Sequence, residues 1–136
     1  MNGEKVKIKC VMVTKLDEDV EMVVFPSGLT ITKYHPVIYG GKWQFPIDVF
    51  KPKKVSIGAY YNFVLEKGHT LVVNGIHCVT LGHEFVGEVI EHDYLGSEKV
   101  LRDLERAEGW KEGEIGLRRQ AWRRDPQSRR INGLMI

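Results

Sequence analysis

With 136 residues, 43% of them hydrophobic, and 20 basic against 18 acidic side chains for a net charge of +2, the chain has the size and balance of one globular domain. That composition does not suit a disordered segment, and no apolar run reaches the length of a membrane span. Two cysteines at no motif spacing make neither a disulfide framework nor a zinc motif, and the N-terminus lacks the layout of a secretory signal. Two reduced thiols in an intracellular protein are the expectation.

The first two thirds read as short strands separated by turn residues. Residues 6–13 alternate apolar and polar side chains and then become mostly apolar, predicting a first strand. Asp17-Glu18-Asp19 turns the chain into a second strand at 21–25, which Pro26-Ser27-Gly28 ends. A third spans 29–39, with Pro36 marking a break or an edge position. Gly40-Gly41 turns again, and Lys51-Pro52-Lys53-Lys54 reads as a basic loop. Strands at 55–65 and 70–73 follow. Asn74-Gly75 is a hairpin signal, since both residues tolerate positive φ, and 76–81 is the returning strand. So many short strands predict a mostly β fold.

After Gly82 the pattern changes. Residues 97–107 predict one helix, capped by Ser97, with Val100, Leu101 and Leu104 on one face and Glu98 placed to pair with Arg102. Gly109 stops it, and Trp110 is expected to pack it back onto the sheet. An arginine-rich tail closes the chain: Arg118, Arg119, Arg123, Arg124, Arg129 and Arg130. With Trp122 among them these could offer phosphate contacts and a stacking surface. The rest of the chain is net acidic and carries no nucleic-acid-binding motif. A solvated basic surface, or one meeting acidic residues of a neighbouring domain, is the expectation, and nucleic acid is not an expected partner.

Thr32-Lys33-Tyr34-His35 is the candidate for chemistry. A Thr and a His three apart at a strand end can share a site, where imidazole passes a proton to a leaving amine and a hydroxyl or backbone N–H steadies an oxyanion. Read from pattern alone, His35 is also compatible with a structural or exposed residue, and Thr32 with a plain β-former. His69, His77, Cys78 and His83 raise a metal site, but strand alternation puts His77 and Cys78 on opposite faces, so no metal is expected. His69 beside Gly68 fits a turn residue. Cys78 would be a thiolate beside a cation and an inert thiol if buried.

Several stretches together resemble the Hint (hedgehog/intein) domain, in the variant associated with von Willebrand type A domain proteins. They are Gly28-Leu29-Thr30-Ile31-Thr32-Lys33-Tyr34-His35-Pro36-Val37, then Lys42-Trp43-Gln44-Phe45-Pro46, then Tyr60-Tyr61-Asn62-Phe63-Val64-Leu65 and Gly68-His69-Thr70-Leu71-Val72-Val73-Asn74-Gly75-Ile76. Cys78-Val79-Thr80-Leu81-Gly82-His83, Tyr94-Leu95-Gly96-Ser97 and Gly109-Trp110 resemble the variant's continuation.

The resemblance implies an all-β Hint-like domain over 1–83 and a family-specific extension over 84–136, carrying the helix and the basic tail. It implies self-processing: an N-to-S or N-to-O acyl shift followed by peptide cleavage. Thr32 would support the oxyanion, His35 would be the proton donor, and His69, Cys78 and Thr80 are possible accessory residues. Hint domains begin with a nucleophilic Cys or Ser well upstream of the Thr-x-x-His block. Thr32 comes too soon for that segment, and Cys10 does not resemble it. The chain is therefore expected to match the later part of the domain and to be inactive alone. Val79-Thr80 stand where splicing members carry His-Asn, which argues against splicing. No cofactor is implied, because the substrate is the protein's own backbone. Other domains of a larger parent are expected partners, and exposed strand edges make a homodimer possible. The alternative is a non-catalytic interaction module that kept the fold.

Overall fold

The computed structural model describes residues 6–135. Strand β1 (Ile8–Lys15) buries Cys10, Met12 and Thr14 on one face, the period of two expected of a half-buried strand. It runs two residues beyond the expected 6–13 because Thr14, polar and fully buried, has a partner: the indole N–H of Trp122 donates to its Oγ1 at 3.0 Å. Strand β2 (Val20–Val24) is flanked by β3 (Thr30–Ile31) and by β6 (Lys53–Val55), both antiparallel. The basic loop expected at 51–54 is thus partly a strand: Lys54 lies opposite Glu21, a favourable cross-strand pair.

The single strand expected over 29–39 is two strands in two sheets. After β3 the chain turns through residues 32–36 and enters β4 (Val37–Tyr39), which pairs with β5 (Lys42–Gln44) and β9 (Ile76–Val79). Pro36 lacks an N–H and pairs through its carbonyl alone, which accepts from Val79 N–H at 3.3 Å at the start of the β4–β9 ladder. The strand expected over 55–65 likewise breaks, and β7 (Ala59–Leu65) joins β1. Strand β8 (Thr70–Val73) and β9 form the hairpin read from the sequence, with Asn74 at φ 48° and Gly75 at φ 78°.

Helix α1 (Glu98–Glu105) is capped by Ser97, whose Oγ accepts from Lys99 N–H at 3.2 Å, and it buries Val100 and Leu104 completely. Trp110 packs against the same core, and the Lys9 ammonium sits 5.4 Å from its ring centroid. Arg118, Arg123 and Arg124 of the arginine tail lie in strands. β10 (Glu114–Arg118) runs parallel to β1, and β11 (Trp122–Arg124) forms a hairpin with β12 (Ile131–Leu134). Ile115 and Leu117 point inward while Glu114, Gly116 and Arg118 point out. Trp122 is buried at 6% exposure with its N–H engaged, so it offers no stacking surface among the arginines.

Two cores result. The larger joins Cys10, Met12 and Val64 to Leu104, Ile115 and Trp122, so residues on both sides of position 83 share it. The smaller gathers Val23, Phe25, Leu29, Ile31, Val37, Ile76 and Cys78 beneath the 32–36 turn. Among the described residues no helix is long and apolar enough to cross a membrane.

Candidate functional site

The turn between β3 and β4 carries Thr32 and His35, and backbone joins them: His35 N–H donates to the Thr32 carbonyl at 3.4 Å. The imidazole reaches across to the far end of the β8–β9 hairpin, where Nε2 lies 2.7 Å from the Val79 carbonyl oxygen. A carbonyl can only accept, so Nε2 carries the hydrogen and, in the neutral ring, Nδ1 keeps a free lone pair. Burial lowers the His35 pKa below the ordinary histidine value, and the Val79 bond opposes this without overcoming it. At neutral pH the ring is therefore an uncharged base at Nδ1, anchored through Nε2. It can take a proton from one atom and hand it to another nearby.

Thr80 follows the anchoring carbonyl directly. Its N–H donates to the His69 carbonyl at 2.8 Å, but its side-chain hydroxyl is buried with no hydrogen-bond partner among the described residues. An unpartnered buried hydroxyl costs about 1–3 kcal/mol. Thr80→Val keeps the shape and removes the orphan, so chemical denaturation is expected to show a gain in stability of roughly 1 kcal/mol.

His69 turns its ring edge-on to Phe85, with centroids 5.9 Å apart. The His83 ring also packs on Phe85, with centroids 5.1 Å apart, and its Nδ1 accepts from Phe85 N–H at 2.8 Å. His83 is buried, and burial pushes its pKa down to about 4, with His69 and His35 adding to the shift in the same direction. The structure thus gathers Thr32, His35, His69 and Thr80 into one region and adds His83 and Phe85. In the sequence, His83 suggested only a metal ligand. The chain reversal after Gly82, with Glu84 at φ 56°, is what brings it in.

The cysteines lie elsewhere. Cys78 faces the smaller core, where its thiol lies 3.6 Å from the Ile76 carbonyl oxygen and burial pushes its pKa up to about 11. Cys10 sits in the larger core, its pKa raised by burial and then by the Glu114 carboxylate. Both are protonated thiols at neutral pH, not activated thiolates. His77 occupies the face of β9 opposite Cys78, and no three His, Cys, Asp or Glu side chains converge on a metal-sized point among the described residues.

His83 and His92 together predict acid sensitivity. The His92 pKa is also pushed to about 4, first by burial and then by the Arg130 charge, and its Nδ1 accepts from Tyr94 and Leu95 N–H. Both folded values lie below the unfolded value of about 6.5, so the unfolded chain binds more protons between these limits. Stability is expected to be full above pH 6.5, to fall as pH drops through 4, and then to lose no more from these groups. Thermal midpoints between pH 8 and 3.5 check this. His92→Gln should flatten part of the slope.

A protein-family model described as Vint, Hint-domain, matches residues 1–133. No curated protein matches the chain.

Proposed function

The chain belongs to the Vint family of Hint domains, and from that premise we propose that it is a self-processing domain whose substrate is its own backbone. In the proposed reaction a Cys or Ser nucleophile gives its proton to His35 Nδ1 and attacks the carbonyl of the preceding peptide bond. The carbon–nitrogen bond breaks as the same proton passes to the departing amine, leaving a thioester or ester. Thr32 supports the oxyanion and the strained peptide. Water or another nucleophile then takes the acyl group, which completes cleavage. Splicing is not proposed, because Val79 and Thr80 stand where a splicing member needs His-Asn.

The observation that carries this reading is the His35 anchor. Nε2 is committed to Val79, Nδ1 is free, and burial keeps the ring neutral, which is the state a proton shuttle needs. Cys10 and Cys78 are poor candidates for the nucleophile, being buried and protonated. The domain would therefore draw on a residue outside both.

Intact mass over time tests the proposal. The full-length product of the reading frame should yield a discrete cleavage product, faster with thiol, and His35→Ala should slow its release about a hundredfold or more. Unchanged mass in both, from folded protein, would overturn it. The two inert thiols also favour a second reading, a non-catalytic interaction module on the same fold. There His35→Ala alters no chemistry. In either case the partners we propose are neighbouring domains of a larger parent, or a second copy paired along an exposed strand edge such as that of β10.

A further inference from the structure

Between α1 and the β11–β12 hairpin lies a cleft of about 470 Å³. Lys99, Arg102, Arg106 and Arg123 line it against one carboxylate, Asp103. That carboxylate is already engaged: Oδ1 accepts from Arg106 and Oδ2 from the Tyr94 hydroxyl, each at 2.6 Å. At the rim, Glu98 pairs with Arg102 at 3.0 Å, but both side chains are exposed and water weakens such a pair. Lys99 has no ion pair among the described residues. The cleft therefore carries positive charge that the chain itself leaves uncompensated.

Arg123 is the organised member. Its Nε–H donates to Asn132 Oδ1 at 3.1 Å. Its guanidinium packs against Gly133, so close that a Cβ there would come 2.5 Å from Nη2. Held at Nε and seated on bare backbone, the group keeps both Nη atoms without a protein acceptor among the described residues. A fixed fork of this kind matches an oxyanion with two acceptor oxygens.

We infer that this cleft binds a phosphoryl group, either free phosphate or a phosphorylated side chain on a peptide segment. A phosphoryl group brings close to two negative charges and three strong acceptor oxygens, which suits Lys99 and Arg123, the two cleft cations without an acidic partner among the described residues, beside the Arg102–Glu98 and Arg106–Asp103 pairs. A lone carboxylate would leave much of that charge unmatched. Nucleic acid fits less well: the cations converge on one cleft instead of tracking a strand, and Trp122, the aromatic nearest the tail arginines in sequence, is buried with its N–H on Thr14. The inference does not rest on the self-processing reading.

Titration of the full chain at low salt, followed by NMR of the Arg123 Nε–H and the Gly133 amide, tests it. The probes are inorganic phosphate, a phosphoserine peptide, its unphosphorylated form, acetate and a short single-stranded DNA. Saturable shifts with millimolar phosphate are expected, weakening at low pH as the second phosphoryl proton returns, at about pH 6 on the phosphoserine peptide and at a higher pH on the free ion. Tighter binding of the phosphopeptide than of phosphate assigns the group to a peptide; equal affinity assigns it to the free ion. Arg123→Gln should weaken binding about tenfold, the loss of one charge-assisted fork. Gly133→Ala, which displaces the fork without changing charge, should weaken it severalfold, and Arg118→Gln should leave it unchanged. Matching thermal midpoints establish that each variant is folded, and Arg123→Gln, on an exposed side chain, keeps the test decisive if Gly133→Ala is not. Absence of saturation, acetate binding as tight as phosphate, or DNA binding that ignores Arg123→Gln would each overturn the assignment.

Discussion

Replacing Gly109 by alanine is expected to cost about 3 kcal/mol or more and to detach β10 from the sheet. Two effects add. Gly109 sits at φ 100°, where an L side chain is strained, and its Cβ would be driven into the backbone carbonyl of Glu114. Neither partner is a flexible side-chain tip, so nothing can yield cheaply. The approach is built in, because the Gly109 carbonyl accepts from both Glu112 and Glu114 N–H at 3.1 Å, folding the chain from α1 into β10. Pushing Glu114 away shifts the whole parallel register with β1 and pulls Ile115 and Leu117 from the larger core. Urea unfolding beside Gly116→Ala checks the claim. Gly116 lies within β10 with open space around it, so its variant should stay within roughly 0.5 kcal/mol of the parent. Equal losses would show that the tight approach at Gly109 does not matter.

Phe25→Ala is expected to cost about 3–5 kcal/mol, the range for emptying an aromatic site in a packed interior. Phe25 is 1% exposed and meets Tyr39 and Phe50 edge-on, with centroids 5.3 and 5.2 Å away. Its cluster includes Ile31 and Val37, which end β3 and begin β4 on either side of the Thr32–His35 turn. The loss should therefore appear twice: as a fall in thermal midpoint on the order of 10 °C, and as faster amide exchange at Val79, whose N–H and carbonyl tie that turn to β9. A midpoint within 2–3 °C of the parent, about 1 kcal/mol at this chain length, would mean that the smaller core tolerates the cavity.

His35 shows where sequence reasoning reaches its limit. The Thr-x-x-His spacing marked the residue as a candidate, yet its electrostatic state depends on Val79, 44 positions away. The alternation of Ile115 and Leu117 was open to reading as a strand, but six arginines nearby made the tail look solvent-exposed. His83 gave no signal for this site, because only the reversal after Gly82 brings it against Phe85.

The features legible in the sequence are local ones. The β8–β9 hairpin follows from the backbone tolerance of Asn74 and Gly75, the helix start from the Ser97 side chain, and the mostly β class from side-chain period and turn residues. Each depends on neighbours a few residues apart. The rest required tertiary structure: the split of 29–39 between two sheets, the parallel pairing of β10 with β1, the burial of Trp122 on Thr14, and the meeting of His35, His69, Thr80 and His83. The physical reason is common to all four. Backbone and side-chain polar groups must find partners when water is excluded, and here those partners are distant in the chain, where no local periodicity records them.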